Sequence, residues 1–536
     1  MKETFHGLKK AFSLLVTCSV ILAGCSSAGQ PQTKSQDGQG VAGKGGTLVI
    51  AAPMEPDTLD TQLSTWVDDA NMRMYDNLLA RDASGKIVPH LAEKYSVSED
   101  GKVWTFNLRK DVKYHSGEPM TAEHIKKSIE RFVAISPNKS LIGPLVKVEA
   151  PDPYTVKITM SEPYAPFLST VSDFMGALDP TRLDKLGDKF GDDPSGTGPL
   201  IFKEKVRGAS VSYKVNKEYR WSPEFAENKG EPYLDEVMFR FIKDDDTKML
   251  EFKKGTIQVF QQVPPHFVKE LESMPGVGIA KNLDIGIQYL GFNNKNPMFQ
   301  DVRVRQAIAM AVDRDPIVQY AMNGLAKPVF GPLPPTIPGY SEKVENIAKE
   351  MYARDVAKSK QLLAEAGWTD TNGDGILDKD GKPFSPELLV AGEPVLQQIA
   401  QILQSQLKEV GIDLRINVTD LQTLRDRATK ANHDMALLMY GLADPDILYL
   451  MFGKGNSRRL HYENAELEPL LVKGRQTTDV NERLQAYEAV GEFLVKESPW
   501  VPLYSKEVVT AYRDVEGFKT STSTGIIFQD IKLIKK

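Results

Sequence analysis

Cys25 ends the run Leu22-Ala23-Gly24-Cys25, which closes an apolar stretch that starts at Ala11 behind Lys9 and Lys10. A basic start, an apolar core and small residues before a thiol are the parts of an export leader. Its cysteine takes a diacylglycerol thioether and becomes the first residue of the processed chain. Residues 11–24 are fewer than the roughly 20 apolar residues that cross a bilayer, so cleavage rather than a membrane span is expected. A second pattern sets oxygens at alternate positions about a glycine: Asp370, Asn372, Asp374, Gly375 and Asp378. That is the opening of a calcium loop, but Gly381 stands where a bidentate glutamate is needed, and a polar hairpin is the expectation with calcium as the alternative. The sequence contains no Gly-x-Ser-x-Gly elbow and no His-Glu-x-x-His helix, two common frames for hydrolytic chemistry.

Around these groups the chain is large enough for several domains. It has 536 residues, 41% of them hydrophobic and 26% charged, with a net charge of -6. Loss of residues 1–24 removes three lysines and one glutamate and moves the charge to about -8, which disfavours nucleic acid as a partner. Cys18 lies inside the leader, so the processed chain keeps no thiol except the acylated one and needs no disulfide. Residues 26–46 are mostly Ser, Gly, Gln and Lys and are expected to form a flexible tether.

The elements that must position any site begin after that tether. Thr47-Leu48-Val49-Ile50-Ala51-Ala52 is a short apolar run bounded by Gly and Pro, as a buried strand would be. Residues 103–108, 155–160 and 211–215 also read as strands. Val304, Ile308, Ala311 and Val312 recur at helical spacing, as do Ile399, Leu403, Leu407 and Val410, with Gly411 placed to end the second helix. Residues 413–418 then alternate like a strand. The mixture is α/β.

Tyr114-His115-Ser116-Gly117-Glu118-Pro119-Met120-Thr121-Ala122-Glu123-His124-Ile125 resembles the signature of the family 5 extracellular solute-binding proteins, the peptide and nickel receptors of ABC importers. Trp104 to Arg109 precede it. Gly196-Thr197-Gly198-Pro199, Asp301-Val302-Arg303-Val304-Arg305, Leu362 to Trp368 and Pro499 to Tyr504 follow in the order of that family. Within the signature, Gly117 and Pro119 suit a turn, Thr121 can cap a helix that starts at Ala122, and the histidines are expected to be structural.

The resemblance implies the type II periplasmic-binding-protein fold, with two lobes, a hinge and a domain inserted in the first lobe. The implied division is 46–75, 195–284 and 508–536 for the first lobe, 76–194 for the inserted domain and 285–507 for the second lobe, with crossings near Ile285 and Glu507. It also implies a lipid-anchored receptor on the extracytoplasmic face of the cell membrane. Such a receptor acts as a monomer without a cofactor and delivers a peptide or other small solute to permease and ATPase subunits. Family peptide receptors hold the ligand amine with an aspartate on a second-lobe loop after a tryptophan. Here that loop carries Tyr440, Gly441 and Asp444, with Tyr440 in place of the tryptophan; Asp444 either serves as that anchor or begins an Asp-Pro turn. Thr65, Trp66 and Val67 fall where relatives bring backbone to the ligand, and Tyr289 and Arg427 are further candidates. A nickel or other metal-chelate receptor is the alternative, and an exported hydrolase or chaperone is the reading from other classes.

Overall fold

Thr47–Ala52 is a strand whose last three residues are buried, because parallel neighbours cover both of its edges: Glu236–Phe241 on one side and Val259–Phe260 on the other. A central strand reads as a continuous apolar run for this reason. The structure is a computed structural model and describes residues 41–64 and 68–535.

The strand sits in a twelve-stranded mixed sheet. From one edge the order is Arg415–Thr419, Glu387–Ala391, Met435–Gly441, Gly286–Phe292, Trp500–Arg513, Val259–Phe260, Thr47–Ala52, Glu236–Phe241, Ser210–Val215 and Leu200–Val206. Val277–Leu283 and Ala326–Pro328 also pair with Trp500–Arg513. That 14-residue strand joins the two ends of the sheet. Its start pairs with Gly286–Phe292, with Leu290 opposite Val501, while its far part pairs with Val277–Leu283, with Leu283 opposite Glu507. Where the chain passes between those partners, the Asp284 amide donates to the Lys506 carbonyl at 2.9 Å, and Ser505 and Thr336 donate to the Asp284 carbonyl.

Apolar side chains gather in separate cores. Two draw their buried residues only from the range 287–504, and a third uses 78–177 with Tyr219 and Trp221. The third core lies between an antiparallel four-stranded sheet and the helix Ala122–Ile135, which buries Ile125, Ile129 and Phe132 at helical spacing. Thr121 stands at the N-cap of this helix in an extended conformation, but its hydroxyl makes no capping bond, contrary to expectation. Val302–Ala311 starts at the Asp301 side chain, which accepts from the Arg303 amide. Pro394–Lys408 buries Ile399, Leu403 and Leu407, and Gly411 follows at φ +81°.

The histidine signature is structural. The Gly196 amide donates to His115 Nδ1 at 3.3 Å, which leaves Nε2 to donate to the Gly198 carbonyl at 2.9 Å. Burial lowers the pKa of this ring and keeps it neutral. Gly196 and Gly198 lie so close to the 73–75 backbone that a Cβ would stand 2.4 Å from the Met74 carbonyl oxygen and 2.5 Å from that of Arg73. The glycines of Gly196-Thr197-Gly198-Pro199 are therefore a packing requirement.

One expected boundary moves. Val41–Gly43, assigned to the tether from composition, pairs antiparallel with Lys532–Lys535. Backbone pairing needs no apolar side chain, so composition could not reveal it. Cys25, the leader and residues 26–40 lie outside the described residues. Among the described residues no helix is long and apolar enough to cross a membrane.

Candidate functional site

Thr65, Trp66 and Val67 lie outside the described residues. Tyr289 and Tyr440 are adjacent in one core. Tyr289 is 1% exposed, with its ring 4.6 Å from Trp500, and burial pushes its hydroxyl up to about 12. Tyr440 stacks on Trp500 at 5.6 Å and donates to the Pro332 carbonyl at 2.6 Å. Both rings face inward from neighbouring strands, so neither presents a free surface to a ligand. Gly441 ends its strand opposite Gly286 and is exposed. Arg427, on the helix Leu421–Thr429, pairs with Glu387 at 2.6 Å and donates to the Asn432 carbonyl. Its guanidinium is thus committed to the protein.

Asp444 begins the Asp-Pro turn, one of its two expected roles. It is 3% exposed, and its carboxylate accepts two bonds from Arg483, at 2.6 and 3.1 Å, one from the Ser169 hydroxyl and one from the Asp446 amide. The Asp446 bond is the Asp-Pro turn. Burial alone would raise the pKa of this carboxyl, but Arg483, Ser169 and the amide outweigh burial and hold it below the ordinary range. A carboxylate engaged in this way is not free for a ligand amine.

Sequence reasoning missed the charge cluster that surrounds Asp444. Asp446 meets Arg475 at 3.2 Å, and burial together with the charge of Asp444 pushes its carboxyl up to about 7. The Arg475 guanidinium lies 3.9 Å from the Tyr449 ring centroid and 5.1 Å from that of Tyr164. The Ala165 amide donates to the Arg475 carbonyl, and Gln476 donates to Glu162. Segment 162–169 is thereby joined to 444–483. The nearest sequence signal is the pair of arginines on the later helices Leu467–Gln476 and Val480–Glu497, which shows no pairing until the chain is folded.

The calcium pattern forms a hairpin. Asp370 accepts from the Gly373 amide at 2.7 Å and the Gly375 amide at 3.0 Å, Asp374 accepts from Ile376, and Asn372 bonds to Asp374. Asp378 accepts from Thr371 and enters the two-residue strand Asp378–Lys379, with Gly381 in the turn at φ +70°. Among the described residues no group of three or more His, Cys, Asp or Glu side chains could hold a metal ion. An open groove of about 680 Å³ is lined by Glu55, Asp57, Leu63, Asp192, Lys205 and Arg207, and it shares no residue with the 440–446 loop.

A second buried polar group lies beside the 415–435 strands. His433 is 6% exposed, and burial, with His461 next, pushes its pKa down to about 4 against a hydrogen bond to the Arg459 backbone. A neutral His433 is fully compatible with the fold above pH 6.5. Between pH 6.5 and 4 the unfolded chain binds the extra proton, so stability falls as pH falls, by about 3 kcal/mol at the limit. The variant His433→Leu is expected to flatten this part of the acid limb in chemical unfolding followed from pH 7 to 4. An unchanged slope would show that the ring is not the group that titrates.

Comparison with known proteins agrees with this architecture. Residues 86–458 match the bacterial extracellular solute-binding proteins, family 5, middle. The oligopeptide-binding protein AppA of Bacillus subtilis is 28% identical over 531 residues, covering 95% of each chain. The glutathione-binding protein GsiB of Shigella flexneri is 28% identical over 480 residues, covering 86% of this chain and 88% of its own. The structure of AppA in complex with a nonapeptide superposes with a TM-score of 0.73 at 27% identity, covering 92% of this chain and all of the other. NikZ of Campylobacter jejuni, in complex with Ni(L-His), gives 0.74 at 26%, covering 91% and 99%. The fold is the mixed α/β type II periplasmic-binding-protein fold, and these relatives are binding proteins, which removes the hydrolase reading. A match that spans most of the chain, on a sheet whose two ends meet at one long strand, places this protein in family 5 of the bacterial extracellular solute-binding proteins.

Proposed function

We propose that the chain is the substrate-binding component of an ABC importer, anchored by lipid at Cys25 on the extracytoplasmic face, and that it captures peptides for a permease and its ATPase. The observation that carries this reading is the similarity to an oligopeptide-binding protein over 95% of both chains. The lobes follow the division 46–75, 195–284 and 508–536 against 285–507, with 76–194 inserted, and they close about the crossings at Asp284 and Lys506. The ligand meets the backbone of residues 441–443, where Gly441 is exposed at the end of its strand. An extended peptide can be held there as an added strand, mainly through its own amides and carbonyls. Since Arg483 occupies Asp444, recognition of a free amine is not centred on that carboxylate. Lipoprotein processing supplies more than one acyl chain, as stable anchoring requires, and the tether keeps the monomeric receptor near its permease.

Native mass spectrometry of the protein purified from its producing cells tests the cargo. Retained peptide masses, together with a quench or shift of tryptophan fluorescence on adding the same peptides, are the expected result. A sugar or a metal chelate as the only retained mass would overturn the peptide assignment. The likeness to NikZ favours one second reading, a receptor for a metal complex held through its organic chelator, because the described residues offer no cluster for a bare ion.

A further inference from the structure

We propose that the inserted domain is the latch of the receptor: the seam between segment 162–169 and residues 444–476 holds the two lobes closed, and its bonds set how readily a bound solute is released. The inference rests on the lobe division proposed above. The inserted domain is built into the first lobe. Its apolar core takes in Tyr219 and Trp221, which lie in first-lobe sequence, while Leu178 and Phe190 join the core around the strand Thr47–Ala52. Polar bonds add to this join: Arg131 pairs with Asp60 at 2.6 Å, and Gln62 Nε2 donates to the Ser128 carbonyl at 2.9 Å. The two bodies therefore move together, and every contact from 76–194 to 285–507 must break when the lobes part.

The seam is made differently. Among the described residues no apolar core combines buried side chains of 76–194 with any of 285–507. The bonds that cross are polar: the Ser169 hydroxyl donates to Asp444 at 2.5 Å, the Ala165 amide to the Arg475 carbonyl at 2.9 Å, and Gln476 Nε2 to Glu162 at 3.1 Å. The Arg475 guanidinium also lies over the Tyr164 ring at 5.1 Å. Ser169, Tyr164 and Asp444 are all buried, so the seam is shut in this structure.

Such a seam can open without stranding a charge. Asp444 keeps Arg483 and Asp446 keeps Arg475, because both ion pairs lie wholly within 444–483 and travel with the second lobe. The Ser169 hydroxyl and the Ala165 amide exchange protein partners for water, which costs little per bond. An apolar join between the same bodies would expose a core on opening and would fix them in place. The latch thus biases closure and still releases. A solute enclosed by closure binds in proportion to the closed fraction, so the seam tunes affinity without touching the solute. Ser169 is a positioning residue in this sense, since it acts on the solute only by holding the second lobe.

Paired spin labels test the latch. Cys18 and Cys25 are the only cysteines of the chain, so Lys139→Cys in the inserted domain and Lys473→Cys in the second lobe, both at exposed positions, supply the labelled thiols of the processed lipoprotein. Electron–electron distance measurements on protein stripped of retained solute are expected to resolve a short and a long separation. Ser169→Ala together with Gln476→Ala is expected to lower the ratio of short to long about tenfold. Both substitutions lie in helices that alanine favours and leave the two ion pairs in place, so the unfolding temperature is expected to change by less than about 2 °C. Two separations whose ratio the substitutions leave unchanged would overturn the latch and leave the hinge intact. A single separation in the parent and the variant alike would overturn the lobe division, and the latch with it. No ligand enters the measurement, so a wrong peptide assignment alters none of these outcomes.

Discussion

Arg483→Leu is expected to cost about 4 kcal/mol of folding stability at neutral pH, because the substitution leaves the Asp444 charge buried with only Ser169 and one amide to support it. The sign of the pH dependence should also reverse. In the native protein Asp444 has a depressed pKa, so its contribution is present above the ordinary aspartate range and is lost as pH falls through the folded value. Without Arg483, burial dominates and raises that pKa, the folded state then binds the extra proton, and stability recovers as pH falls. Adding Asp444→Asn to the leucine variant removes the stranded charge and is expected to restore roughly half of the loss. Urea unfolding of the four proteins of this cycle at pH 7 and pH 5 measures both effects. A loss below about 1 kcal/mol, or no recovery in the double variant, would mean that the pair adds little beyond packing.

Asp76→Ala is expected to be about as damaging, by another route. Asp76 sits where the chain leaves the first sheet strands for the 78–177 core, and its carboxylate gathers three donors, Tyr219 at 3.0 Å, Trp221 Nε1 at 2.9 Å and Thr197 at 3.0 Å, with His90 Nε2 3.4 Å away. Trp221 also reaches the Thr197 carbonyl and keeps one bond, whereas Tyr219 loses its short partner and retains only a 3.3 Å contact with His90. At 1–3 kcal/mol for each buried group left unbonded, the sum is about 4 kcal/mol. His90, whose pKa burial already lowers against the opposing charge of Asp76, would become harder still to protonate. Near-ultraviolet circular dichroism of the Tyr219 and Trp221 rings, with thermal unfolding, follows the loss. Full retention of both signals in the alanine variant would show that water replaces the carboxylate without penalty.

How much of this was legible in the sequence depended on distance along the chain. The strand Thr47–Ala52 and the helices Val302–Ala311 and Pro394–Lys408 announce themselves locally, through an apolar run or a repeat of Val304, Ile308 and Ala311 that fixes the buried face. The signatures around His115 and Gly196 identified the family because close packing of His115 on Gly198 restricts those positions to few residue types. The site was harder because burial determines the role of each residue there. Tyr440 and Tyr289 have the chemistry to meet a ligand, but neighbouring strands turn both onto Trp500, and nothing near either residue in sequence shows that the tryptophan packs on both. Asp444 has the right type on the right loop, and only the folded helix Val480–Glu497 brings Arg483 to it. Asp76 carried no signal of its own. A tyrosine and a tryptophan two residues apart, Tyr219 and Trp221, each with a polar atom to satisfy when buried, were the available hint.

The strand Trp500–Arg513 also sets the order in which the chain can fold. It supplies the joint between Gly286–Phe292 and Val259–Phe260, yet every other strand of that sheet precedes it in sequence. Until it arrives, the two ends of the sheet have no common member, and the contacts that join them span a large fraction of the sequence, the arrangement that folds slowly. Placing the unifying strand after all its partners defers compaction of the sheet until the other members have been made.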